Sequence, residues 1–231
     1  MLRHTDALPY RNLSLPAPIR LYGRMIVAIA NLKGGVGKSL VALHMAGVGL
    51  SRGLKTLVVD ADVQRSALTW NDVAAEQGHA APTVIGASQA MAKQLPGLAA
   101  QYDLTVIDTP PRGDVMTRAA FFVADAVVIP TGPAPTDFWE LASTLELVQQ
   151  AQALRPDLRA ALLLNRLQHR QSLSTHARQA LGHTGIPVLT ATLGNRTAFA
   201  ESLAMGQTVS THAPQSTAAL EMAALFDEVM A

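Results

Sequence analysis

Short runs rich in Val, Ile, Leu and Ala alternate along this chain with longer stretches whose apolar positions recur at helical spacing. Strands that read as near-continuous apolar runs are those covered on both faces, the condition of a parallel sheet held between helix layers. The pattern predicts strands at 26–30, 56–60, 83–85, 104–108, 126–130, 160–164 and 188–190. Helices are expected at 38–52, 67–77, 88–100, 115–123, 137–154, 172–181, 198–205 and 217–229. Such alternation specifies an α/β domain with a doubly wound, mostly parallel sheet. Ligands in folds of this kind bind beyond the carboxyl ends of the strands, so the loops there are the first place to look for chemistry.

The first of these loops carries the strongest signal. Strand 26–30 runs into Asn31-Leu32-Lys33-Gly34-Gly35-Val36-Gly37-Lys38-Ser39, and a helix follows. Glycines in that setting let successive backbone N–H groups turn onto phosphate oxygens, while the helix N-terminus adds partial positive charge. Lys38 is placed to reach the β and γ phosphates of ATP, and the Ser39 hydroxyl to coordinate Mg2+. The nucleotide-contacting set is then Lys33, Gly34, Gly35, Val36, Gly37, Lys38, Ser39 and Leu40. Two residues depart from the common GxxxxGK[ST] pattern: Leu32 stands at its first glycine, and a second lysine, Lys33, precedes the glycines.

Acidic residues close the second and fourth strands. One ends in Asp60-Ala61-Asp62-Val63-Gln64 and the other in Asp108-Thr109-Pro110-Pro111. Both sets fall at the sheet edge that holds the phosphate loop, where magnesium needs oxygen ligands. Ser39, Asp60, Asp62 and Asp108 are therefore the candidate metal residues, with Asp108 in the Walker B position. The plainer alternative for Asp62 and Asp108 is capping of the helices that begin near Ser66 or Gly113.

The segment K-G-G-V-G-K-S resembles the deviant Walker A box of the ParA/MinD family, making the chain similar to P-loop NTPases of the deviant Walker type. The resemblance implies that Lys33 is the signature lysine, crossing an ATP-dependent homodimer to touch the neighbour's nucleotide. It implies that Asp62 orients the attacking water, so that Lys33, Lys38 and Asp62 form the catalytic set. Val63 stands where the family usually has proline. The segment Pro130-Thr131-Gly132-Pro133-Ala134-Pro135 resembles the proline-rich loop of short, ParF-like members, and Asn165 matches the position where relatives contact adenine. A simple turn asparagine is the alternative for Asn165.

Composition narrows the branch. There are no cysteines, which excludes disulfides, thiolate zinc sites and the iron–sulfur branch of the superfamily. The formal charge is only +1, yet the stretch 155–200 holds six arginines against the single Asp157. That excess suits sequence-independent phosphate contacts, or else a plain solvated basic face. The resemblance points to non-specific DNA binding, with Arg166, Arg170, Arg178 and Arg196 as candidates. No Lys or Arg follows Arg196, and the last helical stretch carries Glu221, Asp227 and Glu228. The basic amphipathic membrane anchor of MinD-like relatives is thus missing from the pattern, and no membrane partner is expected. His169, His176 and His183 recur every seven residues, but that is roughly 10 Å of helix rise, too far for two ligands of one ion.

One domain at 25–231 is expected, preceded by a flexible leader at 1–24 that contains three prolines and no apolar core of signal-peptide length. The location implied is cytoplasmic and nucleoid-associated. The function implied is an ATPase that dimerises on ATP, coats DNA and hydrolyses when a centromere-binding or cargo adaptor protein stimulates it, moving a plasmid or chromosome. The same machine positioning a protein cluster or microcompartment is an alternative, as are a nucleotide-gated scaffold of negligible turnover and a biosynthetic P-loop enzyme.

Overall fold

The computed structural model describes residues 23–112, 115–168 and 171–231. Apart from Gly23 and Arg24, the leader lies outside the described residues. Elements follow in the order β1 Met25–Ile29, α1 Lys38–Ser51, β2 Thr56–Asp60, α2 Ser66–Glu76, β3 Thr83–Gly86, α3 Met91–Ala99, β4 Leu104–Asp108 and α4 Val115–Val123. The second half comprises β5 Ala126–Thr131, α5 Pro135–Leu154, β6 Arg159–Leu167, α6 Gln171–Gly182, β7 Val188–Gly194, α7 Thr197–Ala204, α8 Val209–His212 and α9 Thr217–Met230. The strands form one sheet in the order β3-β2-β4-β1-β5-β6-β7, and every pairing is parallel.

Side chains alternate between two cores, as the two-residue period of a strand requires. Val27, Val58, Val106, Val128 and Leu163 face one layer with α1 and α9. Their neighbours Ala28, Val59, Ile107, Ile129 and Leu162 face the other, with α3, α4 and α5. Both faces are dry, which explains the uninterrupted apolar runs. Helix α1 is buried along its whole middle, from Val41 to Gly49. Its Gly47 is required there, because a Cβ would overlap the Thr208 side chain.

Register positions the chemistry. Asp60 pairs with Asp108, and Asp108 with Ile29, so the acidic strand ends stand level with the residue that opens into the phosphate loop.

The last third departs from the sequence pattern. Strand β6 runs on through Asn165 to Leu167, so Asn165 is in the strand rather than at its end, and β7 runs to Gly194 rather than stopping at 190. The β6–β7 register is interrupted by two irregularities. Helix α9 compensates on the exposed edge: Thr190 and Ala191 donate their N–H groups to Glu228, each at 2.7 Å, and Gly194 donates to Glu221 at 3.0 Å. These carboxylates thus satisfy backbone groups that an edge strand leaves open. The four-residue helix α8 had no counterpart in the sequence pattern.

Candidate functional site

The loop from Asn31 to Gly37 joins β1 to α1. Gly35 and Gly37 have φ of 73° and 92°, the left-handed region that glycine adopts without steric cost, and Gly37 is the N-cap of α1. Alternation of this kind turns backbone N–H groups into a concave anion cradle at a helix N-terminus. Buried polar side chains hold the cradle in shape. Asn31 donates to Pro130 O at 2.9 Å and accepts from Lys33 N and from the Thr144 hydroxyl, while Leu32 N donates to that hydroxyl at 3.1 Å. On the other side Asn165 donates its amide to Val36 O at 2.8 Å and accepts Arg166 N. The amide of Asn165 therefore buttresses the phosphate loop, a role distinct from the adenine contact expected of it.

Lys38 is 7% exposed and donates to Lys33 O at 3.1 Å. Burial lowers its pKa, against the charges of Asp108 and Asp62. Asp108 is fully buried, and neither carboxylate oxygen finds a hydrogen-bond partner. Burial pushes its pKa up to about 7; the nearby Ser39 hydroxyl opposes this, but without the geometry of a true bond. Buried, unsatisfied oxygens in a native protein point to a ligand that completes them. A carboxylate and a hydroxyl beside a phosphate cradle are the donors magnesium takes when it arrives with a nucleotide. The residues fit: Ser39 and Asp108 would hold it, and the ion supplies charge neutralisation at the phosphates.

The remaining acids divide. Asp60 accepts N–H groups from Asp62 at 3.1 Å, Ala67 at 2.9 Å and Leu68 at 3.0 Å, so its carboxylate caps α2. Among the described residues no three His, Cys, Asp or Glu side chains converge as a metal cluster. Asp60 thus accepts backbone N–H groups, whereas the Asp108 carboxylate has no hydrogen-bond partner among the described residues. Asp62 is half-buried on the loop after β2 and accepts Gln64 N at 3.0 Å. Lys33 reaches Asp137 at 3.1 Å and Glu140 at 3.2 Å, both on the first turns of α5. The bond to Asp137 leads in raising its pKa, and Glu140 adds to it.

The arginine stretch is largely occupied within the fold. Arg178 donates to Leu189 O and Thr190 O, and Arg196 makes a two-pronged pair with Glu221. Arg155 binds Phe122 O, Ala124 O and Asp157. Arg166 differs: it is exposed, its φ is 58°, and its guanidinium has no partner among the described residues. Arg170 lies outside the described residues, as does His169. No helix among the described residues is long and apolar enough to cross a membrane.

Sequence reasoning missed Asn31, Thr144, Asp137 and Glu140. Only Asn31 left a local signal, a polar residue directly after an apolar strand.

Comparison with known proteins agrees with this geometry. Residues 27–209 match the family model described as the CobQ/CobB/MinD/ParA nucleotide binding domain. Maintenance of carboxysome distribution protein A of Halothiobacillus neapolitanus is 30% identical over 185 residues, covering 79% of this chain and 85% of that protein. Chromosome-partitioning ATPase Soj of Thermus thermophilus is 29% identical over 236 residues, covering 89% of this chain and 95% of its own. The crystal structure of the cell division ATPase MinD from Pyrococcus furiosus superposes with a TM-score of 0.71 at 20% identity, over 89% of this chain and 98% of that one. Phosphate loop, lysine pair, buried Walker B aspartate and sheet order together make this chain a member of the CobQ/CobB/MinD/ParA nucleotide-binding family.

Proposed function

We propose that this chain is an ATPase that dimerises on ATP, binds DNA without sequence preference, and hydrolyses ATP when a cargo-bound adaptor stimulates it. The observation that carries the reading is the juxtaposition of Lys38 and the partnerless Asp108 at one end of the sheet, with the second lysine, Lys33, on the same loop. Lys38 and the loop amides bind and orient the phosphates; Asp62, on a loop beside them, aligns water. Phosphoryl transfer depends mainly on positioning and charge neutralisation, so a carboxylate of ordinary basicity suffices. Lys33 completes the neighbour's site, which makes dimerisation a readout of bound ATP. The exposed Arg166 supplies phosphate contacts to DNA, and the complex is nucleoid-associated.

The cargo is a plasmid or chromosome. A second reading, in which the same cycle spaces a protein microcompartment, is favoured by the carboxysome-distribution relative. Both share the test. Binding to a random-sequence duplex is measured with ATP, ADP or no nucleotide at two salt concentrations, with hydrolysis recorded in the same samples. ATP-dependent, salt-sensitive binding is expected. Nucleotide binding without DNA affinity under every condition would sink the proposal.

A further inference from the structure

A groove runs between α4 and α5, from the phosphate loop to the opposite end of the sheet. Its lower part, about 250 Å3, is floored by Phe121 and Leu147 and walled by Phe122 and Leu154. The upper part, about 210 Å3, is lined by Leu32, Arg112, Ser143 and Glu146. Arg118, Leu147 and Gln150 belong to both, so the two are continuous.

Three features mark it as an interface. On α5, Trp139, Ser143, Leu147, Gln150 and Leu154 recur at spacings of three and four, one face of the helix. Trp139 is 76% exposed, Leu154 80%, and Phe122 across the groove 61%, a concentration of large apolar surface that isolated exposed residues do not produce. Secondly, two cations beside the apolar floor make no ion pair among the described residues, although Glu146 lines the same stretch: Arg118 donates to the neutral Gln150 amide at 3.2 Å, and the Arg112 side chain has no partner among the described residues. Thirdly, the groove touches the nucleotide site. Leu32 occupies the position of a glycine in the common motif, and Arg112, held at φ 72°, donates its N–H to Leu32 O at 2.9 Å. An occupant of the upper groove presses on the loop after β4 and on the phosphate loop together.

We propose that this groove docks an amphipathic helical segment of a second protein, whose carboxylates meet Arg112 and Arg118 and whose apolar side chains cover Phe122, Leu147 and Leu154. Charge decides among occupants. A second copy placed face to face brings guanidinium against guanidinium. Residues 1–22 carry three arginines against one aspartate and are repelled by the same rim. A nucleic acid would satisfy the cations but leave the apolar floor uncovered. A helix with an acidic end satisfies both parts. The proposal rests on the partner-stimulated cycle above, for which it names the surface that receives the partner.

The test begins with a photoreactive amino acid at position 154 of the full chain, irradiated in its source cells, and mapping of the crosslinked peptide. One segment of a second protein, apolar on one face and acidic at one end, is expected. A synthetic peptide of that segment should bind the purified wild-type chain at least tenfold more tightly than Arg118→Glu, with nucleotide affinity and melting temperature unchanged by the substitution. Crosslinks to a second copy, to residues 1–22, to DNA or to nothing overturn the proposal, as does equal affinity of the two proteins. ATP-dependent DNA retention of the wild type is recorded in parallel. Its absence refutes the partition cycle, while the crosslink and peptide titration still decide the groove.

Discussion

The ammonium of Lys33 lies 3.1 Å from the Asp137 carboxylate, so within one protomer this lysine is held by its own chain. Glu140 adds a second contact at 3.2 Å. A lysine that serves a neighbour's nucleotide must first leave these acids. The double substitution Asp137→Asn and Glu140→Gln keeps acceptor atoms for the Ala134 N–H that bonds Asp137, but removes both charges. Ion pairs at a protein surface are weak even when partly buried, so the expected effect is a roughly two- to fivefold stronger ATP-dependent association, read by sedimentation velocity. An unchanged or weaker dimer would show that the acids do not compete with the partner subunit.

Arg196 and Arg166 should separate structure from DNA binding. Arg196 joins the loop after β7 to α9 through Glu221, whose carboxylate also takes the Gly194 N–H. Arg196→Ala is therefore expected to lower the melting temperature while altering DNA affinity little. Arg166→Ala should leave stability unchanged, weaken DNA binding across all sequences, and reduce the salt slope by about 1 per lost phosphate contact. Identical salt slopes for wild type and Arg166→Ala would remove Arg166 from the DNA surface.

Gly37 has two reasons to reject a side chain. Its φ is 92°, and an added Cβ would meet Asn165 Nδ2 at 2.7 Å, displacing the amide that braces Val36. Strain of this kind costs about 1–3 kcal/mol. Gly37→Ala should weaken nucleotide binding at least tenfold by titration with a fluorescent ATP analogue. Asn165→Ala, which frees the space but loses the brace, is expected to fall between the variant and wild type. Full affinity in Gly37→Ala would mean the loop tolerates another shape.

The contrast between Gly37 and Asn165 shows what the sequence made legible. The phosphate loop is local: strand, glycines, lysine and helix start are contiguous, and their spacing alone implies the cradle. Asp108 was legible for a similar reason, as the last residue of an apolar run in a parallel sheet. The partners of these residues were not, because they come from far along the chain. Asn31 meets Thr144 and Lys33 meets Asp137, each more than 100 positions away. Composition was silent at the arginine stretch, where local charge excess gives no hint that Arg178 and Arg196 are hydrogen-bonded within the fold. The lengths of β6 and β7 escaped because carboxylates of α9, rather than a regular ladder, complete the edge.

Two buried groups titrate in opposite senses, and acid stability tests both. His44 on α1 accepts Val209 N–H at Nδ1 and donates from Nε2 to Phe199 O, bridging to α7 and α8 as the neutral ring. Burial lowers its pKa from 6.5 to about 4. As pH falls below about 6.5 the unfolded chain takes this proton first, so His44 contributes stability that is full above that pH and declines toward pH 4, by up to roughly 3 kcal/mol. Asp108, raised from 3.8 to about 7, does the reverse: the folded chain takes its proton first, so stability grows as pH falls from about 7 toward 3.8. Wild type without magnesium or nucleotide should therefore show a nearly flat unfolding free energy across this window. Asp108→Asn removes one arm and should be more stable than wild type at pH 8, yet lose stability steeply on acidification. His44→Gln should instead gain stability as pH falls. Urea unfolding followed by tryptophan fluorescence at pH 8, 6 and 4.5 reads all three; parallel pH profiles for wild type and Asp108→Asn would show that the buried Walker B carboxylate carries no such charge penalty.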